Sequence, residues 1–534
     1  MFNERVENLK QAGKKLALVA LTAAMMSACS SDSNNDPVKE VDLGNSGDPS
    51  TGDANFTSYV AIGDSLTAGY MDGTLYLFGQ LNSMPGILSQ QASQAAGQQL
   101  AFTQPLLGDP TDDASRAAAN LGGLLNAGDI IDFGTGVNQF DTRFVLNTET
   151  ETPERVAGPP VSDATNVVAG PYSNMGVPGL KSFHLNLNFM GNAALIGDPG
   201  TPSNPWFVRM ASAADTTVLG DAVAQTPSFV TVWVGGNDVL LYASSGGWDD
   251  YANAPASTSG FGAFDITPEV TFDANYEGII AQLKGVNADV QGVLVNVPAI
   301  TSIPFFSVVP YNAVPMTAEQ AEQANAGFQA YNDGLDAVVG MVPGFTQEEA
   351  DMRKIVFAEG QNALVIFDED LTDLTVANAA LVNMRQATAD DLIMFDTAAK
   401  LGTAAVEGDP TTLWGVGAPL LDQDVLIPSE IEAVETATAA YNQTIADIAA
   451  AEPNFVLFDA AAELAELKAN GIDYGSRPLT ADYVTGGFFS LDGIHPTARG
   501  YAYIADRIID TINEGFNANI YKVDPGAYPG IFLN

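Results

Sequence analysis

The sequence predicts an α/β sandwich built around a central parallel sheet. Three observations lead there. Short runs of β-branched and aromatic residues recur along the chain and are near-continuously apolar rather than alternating, which suits strands covered on both faces. Segments with apolar residues at helical spacing lie between these runs. Two of the runs stop at glycine and pass at once into polar residues, as at the carboxyl edge of a parallel sheet, where reactive groups gather.

Taken in order, Tyr59–Ile62 reads as the first strand, ending at Gly63-Asp64, with Ser65 at the start of a helix. Phe229–Val234 is a second and ends in Gly235-Gly236. Gly292–Val297 is a third, stopped by Pro298, and Phe455–Phe458 a fourth. Between them, Thr317 and Gln320 have the spacing of a capping box and open a helix with Phe328, Tyr331 and Leu335 on one side. Ser429 and Glu432 repeat that pattern ahead of Val434, Tyr441 and Ile445. After Pro496 a final helix aligns Tyr501, Ile504, Ile508 and Ile512. This body is expected to span 58–520, with a tail over 521–534. Two stretches, near 100–215 and 340–425, are too long for a minimal sheet of this kind and read as insertions; Ala363–Phe367 is a possible strand within the second.

With 534 residues and 46% hydrophobic content, the chain can bury a large core. Lys and Arg number 20 against 65 Asp and Glu, a net charge of −45, so nucleic acid is not expected as a partner. A single cysteine, Cys29, rules out an intrachain disulfide, and with only two histidines, His184 and His495, a structural zinc site is not expected.

The first residues read as an address. Arg5, Lys10, Lys14 and Lys15 precede a short apolar run, Leu16–Met26, and then Ser27, Ala28 and Cys29. That layout is a secretory signal over 1–28, too short to span a bilayer. The small residues before Cys29 resemble a bacterial lipobox, with Met26 where leucine is usual. The resemblance implies cleavage before Cys29, a lipid on its sulfur, and a position in the bacterial cell envelope, at the outer membrane. The polar, Gly-rich residues 29–57 read as a flexible tether between anchor and body.

Four separated segments carry chemistry: Gly63-Asp64-Ser65-Leu66, Asn174–Gly179, Gly235-Gly236-Asn237-Asp238 and Asp492-Gly493-Ile494-His495. Ser65 is the candidate nucleophile, at a strand-to-helix turn; a serine hydroxyl needs a base and an oxyanion site to act. His495 is the candidate base, and Asp492, three residues before it, can orient the ring. Asn237 offers an amide donor to an oxyanion. A backbone N–H from Gly179 would join it, with Gly176 the competing choice. Each fragment alone also fits an ordinary turn. His184 has no partner motif and reads as structural. The run Asp368-Glu369-Asp370 lacks the spacing of a calcium loop and reads as a solvated acidic face.

Together the four segments resemble the SGNH, or GDSL, hydrolase family. The resemblance implies a flavodoxin-like three-layer α/β/α fold. It implies Ser65 as nucleophile, His495 as base, Asp492 as its support, and Ser65, Gly179 and Asn237 as oxyanion donors. It also implies hydrolysis of carboxylic esters through an acyl-serine, with no metal or organic cofactor. The substrate class does not transfer. Met71, Leu75, Tyr76, Leu77 and Phe78, and the run Ile303–Pro310, could line an apolar acyl pocket or could be core. The reading is a lipase-like esterase acting on a small-molecule or lipid ester. A carbohydrate O-acetyl esterase and a non-catalytic glycan- or lipid-binding envelope lipoprotein are the alternatives.

Overall fold

The computed structural model describes residues 43–127, 140–198, 201–247, 262–474 and 478–534. The expected signal peptide and Cys29 therefore lie outside the described residues.

A five-stranded sheet organises the molecule. Its strands are β1 (Tyr59–Gly63), β2 (Asn174–Gly176), β3 (Phe229–Trp233), β4 (Gln291–Val295) and β5 (Phe455–Phe458), in the spatial order β5-β4-β3-β1-β2. All four pairings are parallel. Every residue of β1 and β3 is buried, so both sheet faces are covered and the unbroken apolar runs have a physical reason. Read from the β2 edge, the order is 2-1-3-4-5, that of a doubly wound sheet whose crevice opens between β1 and β3.

Helices form the outer layers. α1 (Ser65–Ala68) follows β1, and α2 (Met84–Ala95) packs against α8 (Ala498–Gly515), which lies on β4 and β5. α3 (Asn237–Ser244) and α4 (Glu269–Val286) pack with α6 (Pro428–Ala451), which also reaches β4 and β5, and α7 (Ala460–Asn470) follows β5. The stripe expected on α8 is buried, and Thr497 caps its start by accepting the Gly500 N–H at 3.1 Å. No described helix is long and apolar enough to cross a membrane.

The structure departs from expectation in several places. β2 falls where the sequence suggests a loop. It has three residues and none is β-branched, so only its pairing with Ala61–Gly63 makes it a strand. α6 begins at Pro428, ahead of the Ser429–Glu432 pattern. Proline suits the first helical position, and the Glu430 carboxylate accepts the Ile427 N–H at 2.7 Å. α5 (Ala318–Val338) keeps its capping box, but its buried residues Phe328, Tyr331 and Leu335 pack with Leu374, Leu381 and Met384 in a cluster separate from the main core. A third cluster joins Val309, Leu364, Ile393 and Ile427. The stretch read as the second insertion thus has hydrophobic clusters of its own, and these also take in Val309 and residues of α5. Its possible strand forms over Val365–Phe367, paired antiparallel with Met384–Gln386.

Residues 43–57 are not loose. Asn45 exchanges hydrogen bonds with Lys522, Ser50 pairs with Asn519, and Phe56 stacks on Phe229 at 4.2 Å. The C-terminal residues are likewise docked, with Phe532 and Asn534 bonded to Leu146. Composition misses this because the partners that satisfy these polar groups come from the opposite end of the chain.

Candidate active site

Ser65, His495 and Asp492 come together from sites more than 400 residues apart. Ser65 stands at the first position of α1, two residues past the end of β1. Asp64 caps that turn, its carboxylate accepting the Leu66 N–H at 3.0 Å. The Ser65 Oγ lies 2.9 Å from His495 Nε2, and His495 Nδ1 lies 3.0 Å from Asp492 Oδ2. With Nδ1–H donating to Asp492, Nε2 is left to accept the Ser65 proton. The ring is held further by Tyr70, whose centroid is 4.5 Å away.

Asp492 is itself held firmly. Its Oδ1 accepts from Ser490 Oγ and from the N–H groups of Ile494 and His495; its Oδ2 accepts the Gly73 N–H at 2.9 Å. Burial pushes its carboxyl up, but the facing His495 and these donors outweigh burial and hold it below the usual carboxylate range. The loop is anchored in turn to the turn after α1. The Asp72 N–H donates to Ser490 Oγ, and Asp72 Oδ1 accepts the Leu491 N–H. The sequence offers no sign of this lattice, because Asp72 and Ser490 belong to no motif.

The two glycines of the second block separate cleanly. Gly176 lies in β2, its N–H bonded to Asn174 Oδ1 at 2.9 Å, and a Cβ there would press on the backbone of Ala68. Its N–H is engaged and its role is packing. Gly179 has φ +79°, a conformation that favours glycine, with open space where a Cβ would point. It lines a cavity with Ser65, Asn237 and His495. Asn237 opens α3, and its Nδ2 donates to Leu180 O at 2.9 Å, which orients the amide and leaves its second N–H. Asp238, absent from the predicted set, pins the same loop by accepting from Ser182 N–H at 2.8 Å and Ser182 Oγ at 2.7 Å.

Two buried acids sit behind Ser65. Burial, partly offset by the Leu66 N–H and the nearby His495, pushes the Asp64 carboxyl up to about 7; neighbouring Asp238 raises it further. Asp238 is also raised, chiefly by burial. His184 stays apart from the cluster. Its Nδ1 accepts the Lys181 N–H at 3.1 Å, and burial with the Lys181 charge pushes its pKa down to about 3, so it is a neutral structural residue.

Two cavities meet at Ser65, Asn237 and His495. One is walled by Leu66, Trp233, Ile300, Ile303, Phe458 and Leu464. The other is walled by Tyr70, Phe144, Pro178, Leu241, Phe305 and Phe395. Ile303 and Phe305 thus supply cavity wall from the Ile303–Pro310 run. Met71, Leu75, Tyr76 and Leu77 are core instead. Phe395 comes from the inserted body, its N–H bonded to Phe305 O at 2.9 Å.

The fold and site together define an α/β protein with a five-strand parallel sheet and a Ser–His–Asp cluster at the carboxyl ends of its strands. Compared with known protein families, curated proteins and solved structures, the chain gives no match.

Proposed function

We propose that this protein is a serine ester hydrolase of the SGNH, or GDSL, type, acting on esters with an apolar acyl group and lipase-like in preference. The observation that carries the reading is the continuous chain Ser65 Oγ–His495 Nε2–His495 Nδ1–Asp492 Oδ2, with links of 2.9 and 3.0 Å. Such a chain lets imidazole accept the serine proton as the hydroxyl oxygen bonds to the ester carbon.

The carbonyl oxygen becomes an oxyanion facing the Ser65 N–H, the Gly179 N–H and the free amide N–H of Asn237. The Ser65 N–H is among the first in its helix and has no acceptor within it. His495 then gives its proton to the departing alcohol, leaving an acyl-serine. Water attacks the acyl carbon, His495 takes a proton from that water and returns it to Ser65 Oγ, and the acid departs. These steps need no group beyond the chain's own residues and water. The two mostly apolar cavities support an ester that extends hydrophobic groups to both sides of the carbonyl. The leader reading supports a lipid anchor at Cys29 and a place in the bacterial envelope.

The test is a chromogenic ester series, from acetyl to long acyl chains, with purified full chain and Ser65→Ala. The wild type should hydrolyse these esters and prefer chains longer than acetyl, and Ser65→Ala should lose at least about a thousandfold in kcat. Activity on acetyl esters alone would favour the O-acetyl esterase. Equal inertness of both proteins on every ester, acetylated sugars included, would favour the binding protein.

A further inference from the structure

Away from the candidate active site, three carboxylates converge: Glu369 and Asp422 of the inserted body and Glu430 in the first turn of α6. One oxygen from each lies within 4.8 Å of the others. Two oxygens on opposite sides of one calcium ion, each about 2.4 Å from it, would be about 4.8 Å apart. The sequence shows only a short acidic run at 368–370, and the structure divides that run. Asp368 turns inward to Arg385 at 2.5 Å, while Glu369 joins the cluster.

Proximity of acids is common on a surface this negative and does not by itself make a site. The second observation is Glu430. It is only 5% exposed, its Oε2 accepts the Ile427 N–H, and its Oε1 is buried with no hydrogen-bond partner. A buried carboxylate oxygen left without a donor is costly, and other carboxylates beside it raise the cost. The cluster is thus poorly matched to its charge without a cation or an added proton.

We propose that Glu369, Asp422 and Glu430 form a binding site for a calcium ion. The donor set is all oxygen, which selects a hard cation, and half-exposed Asp422 and exposed Glu369 leave room for water to complete six to eight ligands. The location gives the ion a structural consequence. Glu430 Oε1 packs where a side chain on Gly247 would stand, just beyond α3, whose first residue is Asn237. The ion would join two parts, the inserted body that carries Phe395 and the start of α6, beside the end of the helix that begins with the candidate oxyanion donor.

Calorimetric titration of the calcium-stripped full chain with calcium chloride tests this, alongside thermal unfolding with and without the ion. The expected result is one ion per chain and a calcium-dependent rise in Tm, with affinity weakened at least about tenfold in both Glu430→Gln and Glu369→Gln. Glu369 is exposed, so its substitution keeps the test valid if Glu430→Gln does not fold. Absence of binding at millimolar calcium would overturn the proposal, and the cluster would then share a proton instead. Weak binding that neither substitution alters would mark diffuse attraction to an acidic surface and would overturn it equally. Both readouts are independent of ester hydrolysis, so this site and the proposed activity stand or fall separately.

Discussion

Replacing Asn237 by alanine separates a catalytic amide from a structural one. Its Nδ2 makes one bond to Leu180 O, and its second N–H is the candidate oxyanion donor. Loss of a single such donor costs roughly 2.7–4 kcal/mol in the transition state, or about 10²–10³ in kcat. Loss of the Leu180 bond acts on the fold instead, and leaving a buried carbonyl unpaired costs about 1–3 kcal/mol of stability. The two effects therefore appear in different measurements. Steady-state kinetics on a chromogenic ester should show kcat and kcat/KM falling together, because the donor serves an oxyanion that exists only after attack. Thermal unfolding should show a modest loss of Tm, and the Gly179 loop should stay in place through Asp238 and Ser182. If kcat drops less than about tenfold while Tm falls as expected, the amide only holds Leu180, and the assignment of Asn237 to the oxyanion is wrong.

Two further substitutions probe the buried acids. Asp492→Asn should lower kcat by about 10⁴, because the amide presents an N–H to groups that are all donors and His495 loses its orienting acceptor; kcat within tenfold of wild type would remove Asp492 from the chemistry. Asp64 holds its proton to about 7 in the folded chain but releases it near 3.8 when unfolded, so folding binds the extra proton between those values and stability falls as pH rises through that window. Asp64→Asn keeps the Leu66 cap without a charge, and its stability relative to wild type should grow by up to about 4 kcal/mol between about pH 4 and pH 8. Urea midpoints measured across that range would contradict this if the difference between the two proteins stayed constant.

What could be read directly from the chain was local. β1, β3, β4 and β5 were legible because a strand buried on both faces must be apolar at nearly every position, whatever its neighbours. The start of α5 was legible because Thr317 and Gln320 satisfy each other's backbone groups within one turn. The start of α6 was misread because two capping patterns overlap there, and Pro428 with Glu430 prevails over Ser429 with Glu432.

The site divides in the same way. Ser65, Asn237 and the Asp492–His495 pair stood out because each lies in a short distinctive turn. Gly179 and Gly176 lie three residues apart in the sequence, and only the folded segment shows the Asn174 side chain taking the Gly176 N–H while Gly179 lines the cavity. Leu75 to Leu77 and Ile303 to Phe306 are both apolar, yet the first run is core while Ile303 and Phe305 of the second also wall the cavities. By itself the sequence determined four of the five sheet strands and the chemical groups, since hydrophobic runs and turns report on neighbours within a few residues. Tertiary structure alone decided which glycine faces the serine, how Asp72 and Ser490 brace the histidine loop, and that Glu369, Asp422 and Glu430 meet. Those outcomes depend on contacts between residues far apart in the chain, where a side chain's partner is chosen by packing and by the need to satisfy buried polar groups, and no local pattern records the choice.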